Sequence, residues 1–249
     1  KLIYAEISER RISNDNLGED ILSLLMSASD EDGGKMTDKE LRDQLVSLLL
    51  LGYETTSGVL AWLFYMIHSH PEVKDKLINE LQSLDNSDNL DNSDKKSPEK
   101  IAQLPYLSAV CCETMRLHPI ALICTPRMAV DKVEVAGEKF GEGTVLVPFI
   151  YLAHRQEITY KQPDKFIPER FLDRKFSAFE YLPFGGGYRG CIGSAFAVYE
   201  MKLILATIMQ KFALQLVDKK PVQPVRRGIT IVPSGGVSMK VVQRDAKKL

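Results

Sequence analysis

Charge in excess of either sign is missing from this sequence: 32 lysines and arginines face 33 aspartates and glutamates. That balance removes the general electrostatic argument for a nucleic-acid or anionic-membrane partner. Cysteine is scarce too. The four thiols, Cys111, Cys112, Cys124 and Cys191, include no Cys-x-x-Cys spacing, and no His-x-x-x-His pair accompanies them. A zinc site and a disulfide framework are thereby disfavoured, and a reducing, cytoplasmic setting is expected. No signal peptide, targeting segment or internal repeat is visible, and the first residue is Lys1 within a helix-like stretch rather than Met. The expectation is that sequence upstream is missing. What is present is 45% hydrophobic and 26% charged, the composition of a globular chain able to bury a core in one domain or at most two.

Periodicity organises the chain. Residues 1–29 read as helix with a gap near 13–18, and 30–35 as a polar loop. Thr37-Asp38-Lys39-Glu40 is a capping box that opens a long helix running to about residue 69. From 46 to 67 this helix is apolar on most faces, so it is expected to be buried. Its length suits a membrane span. However, Glu54, Thr55, Thr56 and Ser57 stand at its centre, where hydrocarbon would penalise them, so no span is expected. Another helix follows over 71–84. The stretch 85–98, rich in Asp, Asn, Ser and Lys, is expected to be a mobile surface loop. A helix over 104–117 stops ahead of His118-Pro119. Short hairpins are predicted over 124–149, an irregular meander over 155–190, a helix over 191–210, and strands over 212–217, 228–233 and 237–242. The fold class is mainly α with small β-sheets.

The most informative stretch is Phe184-Gly185-Gly186-Gly187-Tyr188-Arg189-Gly190-Cys191-Ile192-Gly193, a glycine-rich loop leading into a helical pattern. A cysteine at a helix N-terminus meets the positive end of the macrodipole, which favours the thiolate, the form that ligates metals. The glycines let the backbone turn tightly and lie close to a flat partner, with the positive charge of Arg189 two residues away. A lone cysteine beside such a turn is more often simply a small core residue. Gly185-x-Gly187-x-x-Gly190 also fits the dinucleotide fingerprint, which needs a preceding strand, a βαβ unit and an acid about 20 residues on. Residues 180–184 are short and contain Pro183, and Lys211 stands near the place of the acid. A nucleotide-binding oxidoreductase is therefore the weaker alternative.

The loop resembles the haem-ligand loop of the cytochrome P-450 family, Phe-x-x-Gly-x-Arg-x-Cys-x-Gly, with Phe184, Gly187, Arg189, Cys191 and Gly193 at the fixed positions. Other segments resemble the family in the same order along almost the whole chain. Glu113-Thr114-Met115-Arg116 resembles its Glu-x-x-Arg motif, and Pro168-Glu169-Arg170-Phe171 its Pro-Glu-Arg-Phe segment. Three residues apart on one helix, Glu113 and Arg116 can share a face. As an exposed pair they would be worth little, but Val110, Cys111, Cys112 and Leu117 around them suggest burial, where such charges need partners. The resemblance implies that Glu113, Arg116 and Arg170 form a structural triad behind the haem. Leu51-Gly52-Tyr53-Glu54-Thr55-Thr56 resembles the segment in which a helix distortion makes room for dioxygen, although the family usually has a small residue in place of Leu51. Buried glycine costs a helix about 1 kcal/mol relative to alanine, so Gly52 needs a reason. Taken alone, Thr55 could equally bond back to its own helix and Glu54 pair with a nearby base.

The resemblance implies the C-terminal half of the cytochrome P-450 fold, a haem-binding domain over 1–249 that is N-terminally incomplete, and closest kinship with soluble bacterial members. It implies haem b bound through Cys191 as metal ligand, with Phe184, Gly185, Gly193 and Gly52 close to it and Arg189 and Arg127 on its propionates. Thr55 and Glu54 would be catalytic, positioning and relaying protons. The implied reaction is monooxygenation: one oxygen atom from O2 enters a C–H bond of an apolar substrate such as a fatty acid or terpenoid. Electrons would come from a ferredoxin- or flavodoxin-type donor, or a reductase, because the chain holds no flavin or iron–sulfur motif. The alternative from another class is a non-enzymatic fragment, or one that acts only when complemented; alone, 1–249 is expected to be inactive. His118 and His154 read as structural histidines.

Overall fold

The computed structural model describes residues 1–12, 18, 20–84, 97–218 and 220–244. The chain forms two compact units, Lys1–Glu54 and Thr55–Leu249. In the first, α1 (Leu2–Ile12), α2 (Ile21–Ser27) and the opening of α3 (Asp38–Ser69) enclose a small core of Ile7, Leu22 and Leu41. Asp20 caps α2 by accepting from Ser23 N at 3.0 Å, and it also pairs with Arg10 at 2.6 Å. The Arg10 guanidinium first, and that N–H second, hold its carboxyl down at about 2. The capping box forms as the sequence predicts: Glu40 N donates to Thr37 Oγ1 at 3.3 Å, and Thr37 N to Glu40 Oε2 at 2.8 Å.

The expected burial holds for only part of α3. Trp62, Leu63 and Ile67 are fully buried, whereas Leu49, Leu50 and Leu51 are 71%, 66% and 62% exposed and Tyr53 is 77% exposed. Apolar sequence creates the tendency to bury, but only a packed neighbour satisfies it. Among the described residues α3 is the one helix long and apolar enough to cross a membrane. Glu54 and Ser57 sit exposed in its middle.

The second unit packs the remainder of α3 with α4 (Pro71–Ser83), α5 (Pro98–Gln103), α6 (Pro105–Leu117), and α9 (Ser194–Lys211), around Leu63, Ile67, Leu77, Leu107, Val110, Met201 and Leu205. Helix α4 contributes through Val73, Leu77 and Leu81, spaced four apart on one face. Its Glu80 reaches across to accept from Tyr106 N at 2.7 Å and Leu107 N at 2.8 Å. These are first-turn amides of α6 with no partner inside their own helix, so Glu80 caps the helix that carries Glu113 and Arg116. Ser97 caps α5, with Pro98 at its first position. The segment expected to be mobile, 85–98, otherwise lies outside the described residues.

Between α6 and α9 run β1 (Arg127–Met128), β2 (Val133–Val135), β3 (Glu138–Phe140), β4 (Val145–Leu146), α7 (Ile150–Ala153) and α8 (Arg170–Asp173). After α9 come β5 (Phe212–Leu216), β6 (Pro224–Arg227), β7 (Thr230–Pro233) and β8 (Met239–Arg244). The strands pair two by two, β1 with β4, β2 with β3, β5 with β8 and β6 with β7, and every one of these pairings is antiparallel. A dinucleotide βαβ unit needs parallel neighbours, so the nucleotide alternative finds no scaffold among the described residues. Strand β6 went unpredicted because it opens on a proline and carries two arginines on a fully exposed edge.

The glycine that α3 needs for close packing is Gly58 rather than Gly52. A Cβ on Gly58 would stand 3.1 Å from both Ile120 Cδ1 and Val232 Cγ1, whereas one on Gly52 would meet nothing within 4 Å. Gly58→Ala is expected to lower stability by about 1 kcal/mol, because overpacking of ~1–3 kcal/mol exceeds the helix-propensity gain of at most about 1 kcal/mol. Gly52→Ala, with no clash, is expected to stabilise by up to about 1 kcal/mol. Urea unfolding of the two variants checks the opposite signs.

Candidate functional site

The site is built on a buried ion pair. Glu113 and Arg116, both fully buried, meet through Nε to Oε2 at 2.7 Å and Nη2 to Oε1 at 2.8 Å. Arg170 Nε donates to Glu113 Oε1 at 3.2 Å, and Ile167 N donates to the same oxygen at 2.9 Å. The remaining N–H groups of Arg116 go to carbonyls: Nη1 to His154 O at 2.8 Å and Pro163 O at 2.7 Å, Nη2 to Lys165 O at 3.1 Å. A guanidinium has five donors, and all five of these are used. The Tyr160 ring covers it at 4.9 Å. The three residues that sequence resemblance grouped are therefore in contact, and the charges are satisfied by the main chain they hold.

The loop carrying Cys191 folds on glycine. Gly185 and Gly187 adopt φ of 70° and 63°, a left-handed conformation in which a side chain would be strained. Gly187–Arg189 make one turn of 3₁₀ helix, and Cys191 N returns to Phe184 O at 2.9 Å. Helix α9 begins at Ser194 with Gly193 as its N-cap. Cys191 thus lies three residues ahead of the helix instead of opening it, because a turn at Ile192 and the Gly193 cap occupy the intervening backbone. Phe184 is half-buried and packs on the core, while Tyr188 and Ile192 stand exposed on either side of the cysteine.

Exposure separates the four cysteines. Cys111 is fully buried, and that burial pushes its thiol up to about 12. Burial also raises Cys112 and Cys124, so the neutral thiol is favoured in all three. Cys191 alone is exposed.

Glu54 and Thr55 occupy successive positions of α3, Glu54 exposed and Thr55 half-buried, and Gly52 is exposed. Arg127, on β1, is exposed and, among the described residues, donates only to nearby carbonyls, those of Thr125 and Pro126 at 3.3 Å. Arg189 is exposed on the 3₁₀ turn. Sequence reasoning passed over Tyr181, which donates to Cys112 O at 3.1 Å, and Tyr160, which donates to Glu180 O at 2.9 Å. Buried tyrosines usually find a partner for the hydroxyl, and that was the available signal.

The donor set limits the metal. Among the described residues no group of three or more His, Cys, Asp or Glu could hold an ion. One exposed thiol, an aromatic ring on the residue whose carbonyl accepts from the cysteine N–H, a glycine backbone and the guanidinium of Arg189 two residues away instead fit a metal that brings most of its own ligands, as haem does. Comparison with known proteins agrees. The family model for cytochrome P-450 matches residues 1–241. A Mycobacterium tuberculosis protein provisionally named cytochrome P-450 135B1 is 35% identical over 241 residues, covering 96% of this chain and 48% of that protein. Rat cytochrome P-450 4V2 is 32% identical over 226 residues, covering 90% of this chain and 42% of that one. The crystal structure of the cytochrome P-450DA heme domain superposes with a TM-score of 0.84 at 28% identity, covering 97% of this chain and 53% of that chain. The retinoic acid-bound cyanobacterial CYP120A1 gives 0.81 at 27% identity, covering 97% and 56%. The chain belongs to the cytochrome P-450 family. It spans about half the length of the curated relatives it matches.

Proposed function

We propose that this chain carries the haem-thiolate half of a monooxygenase, in which the Cys191 thiolate would hold the iron of haem b. The observation that carries the reading is that Cys191, in the glycine loop, is the one cysteine exposed to a ligand. Bound there, the haem would supply dioxygen activation for a reaction in which one oxygen atom enters a substrate C–H bond and the other, with two electrons and two protons, leaves as water. The chain's own residues do the rest. Phe184 shields the sulfur side with an apolar ring, and Gly185 and Gly193 keep the backbone close. Arg189 and Arg127 would hold the propionates, since a planar guanidinium pairs two-pronged with a carboxylate. Thr55 positions a proton donor and Glu54 exchanges protons with solvent. The substrate is apolar, a fatty acid or terpenoid fitting that description, and electrons come from a separate ferredoxin- or flavodoxin-type donor or reductase in the cytoplasm.

The test is the reduced carbon monoxide complex. It is expected to show the red-shifted Soret band of thiolate ligation, and Cys191→His to lose it; a band that survives the substitution overturns the assignment. A second reading, in which cofactor binding needs complementation by another polypeptide, is favoured by the exposed Leu49, Leu50, Leu51 and Tyr53. The same spectrum recorded on 1–249 alone and after adding an upstream segment separates the two readings. Thr55→Ala is expected to keep the haem and the thiolate band while diverting reducing equivalents to peroxide. Unchanged coupling of electron use to product would make Thr55 structural.

A further inference from the structure

His154 belongs to none of the motifs, yet it is fully buried and its ring is bonded on both sides. Leu182 N lies 2.8 Å from Nε2. A backbone N–H can only donate there, so Nε2 must offer a lone pair. The ring proton is then on Nδ1, which faces Arg116 O at 3.3 Å. The main chain returns the contact, because Arg116 Nη1 donates to His154 O at 2.8 Å. Arg116 and His154 are thus joined twice, and His154 passes the connection on to Leu182.

Leu182 leads directly to the cysteine loop. Its carbonyl accepts from Gly185 N at 2.9 Å, and Phe184 O accepts from Cys191 N at 2.9 Å. The Tyr181 ring stacks on His154 at 5.5 Å. We infer that His154 is a positioning residue that transmits the geometry of the buried Glu113–Arg116 pair to the Cys191 loop through a neutral Nδ1–H imidazole. Histidine suits this role because an imidazole places a donor and an acceptor on opposite sides of one rigid ring, whereas an amide carries both at one end. The inference rests on the reading of Cys191 as the iron ligand, but its first two tests do not.

Imidazole 15N shifts of the unsubstituted protein read the tautomer without any variant. Protonated Nδ1 and unprotonated Nε2 at pH 7 are expected, and the reverse tautomer overturns the inference. Hydrogen exchange at the Leu182 amide is the second measurement. His154→Gln places an acceptor near the Nε2 position and should keep exchange close to that of the parent. His154→Asn reaches only the Nδ1 position and should raise exchange about fivefold to tenfold, the loss of roughly one hydrogen bond. Equal rates in the two variants overturn the inference. With the cofactor bound, the carbon monoxide complex of His154→Asn should move partly from the thiolate to the thiol position, with His154→Gln restoring it. A thiolate band indifferent to both substitutions would confine His154 to local packing and overturn the link to Cys191. If the parent itself lacks the thiolate band, the fault lies with the Cys191 assignment, and the exchange ordering still decides whether His154 holds Leu182.

Discussion

Glu113→Ala is expected to leave little folded protein. The substitution removes both carboxylate oxygens that Arg116 bonds, the Arg170 contact and the acceptor for Ile167 N, while Arg116 stays fully buried. Removing one member of a buried ion pair costs about 3–5 kcal/mol, against a typical total stability of about 5–15 kcal/mol. Soluble yield and haem retention should fall together, and any folded fraction should unfold at a far lower urea concentration. Arg116→Lys should fare little better, because an ammonium has three donors and cannot reproduce the five-way fork. A stable, haem-loaded Glu113→Ala protein with slow turnover would show that Glu113 acts in the reaction instead.

Acid should unfold the protein well before carboxylate protonation is complete. Burial lowers His68, His118 and His154 from 6.5 to about 4. His118 lies flat against Trp62 at 3.9 Å, and His154 is enclosed as described above. The unfolded chain takes up protons on these rings near 6.5, the folded chain only near 4, so the unfolded state binds more protons between those values. Stability is therefore complete above about pH 6.5 and falls as pH drops toward 4. For His118 and His154 the loss by pH 5 is on the order of 1–2 kcal/mol each. Urea midpoints measured from pH 7.5 to 4.5 should fall steadily, and His118→Gln should flatten the slope. A pH-independent midpoint across that range would show that the rings are not held neutral.

How much of this was legible in the sequence depends on how local the determinant is. The Cys191 loop was legible because its glycines, its arginine and its thiol lie within ten consecutive residues. The pairing of Glu113 with Arg116 follows from helical spacing, but Arg170 could be joined to them only by resemblance, since nothing near it in sequence says what it faces. Gly52 and Gly58 show the limit plainly. Both are glycines in one helix, and what distinguishes them is Ile120 and Val232, brought up from remote parts of the chain. His154 could be read as structural, but what it holds could not, for the same reason: its partners are 28 and 38 residues away. The hydropathy of Leu49 to Leu51 shows only that they seek cover; which of them find it is a property of neighbours and not of the residues themselves.

The hydrogen bonds by which Arg116 grips the segment from 154 to 165 go to three carbonyl oxygens. A carbonyl is the same whichever residue bears it, so recognition of this kind is blind to the letters at positions 163 and 165. It is not blind to spacing. Adding or deleting one residue between 154 and 163 would carry a carbonyl out of reach and leave a buried guanidinium N–H with nothing to meet. Related sequences are therefore expected to vary in composition at 163 and 165 while holding the length of the stretch fixed, a pattern that an alignment ungapped between 154 and 165 would display.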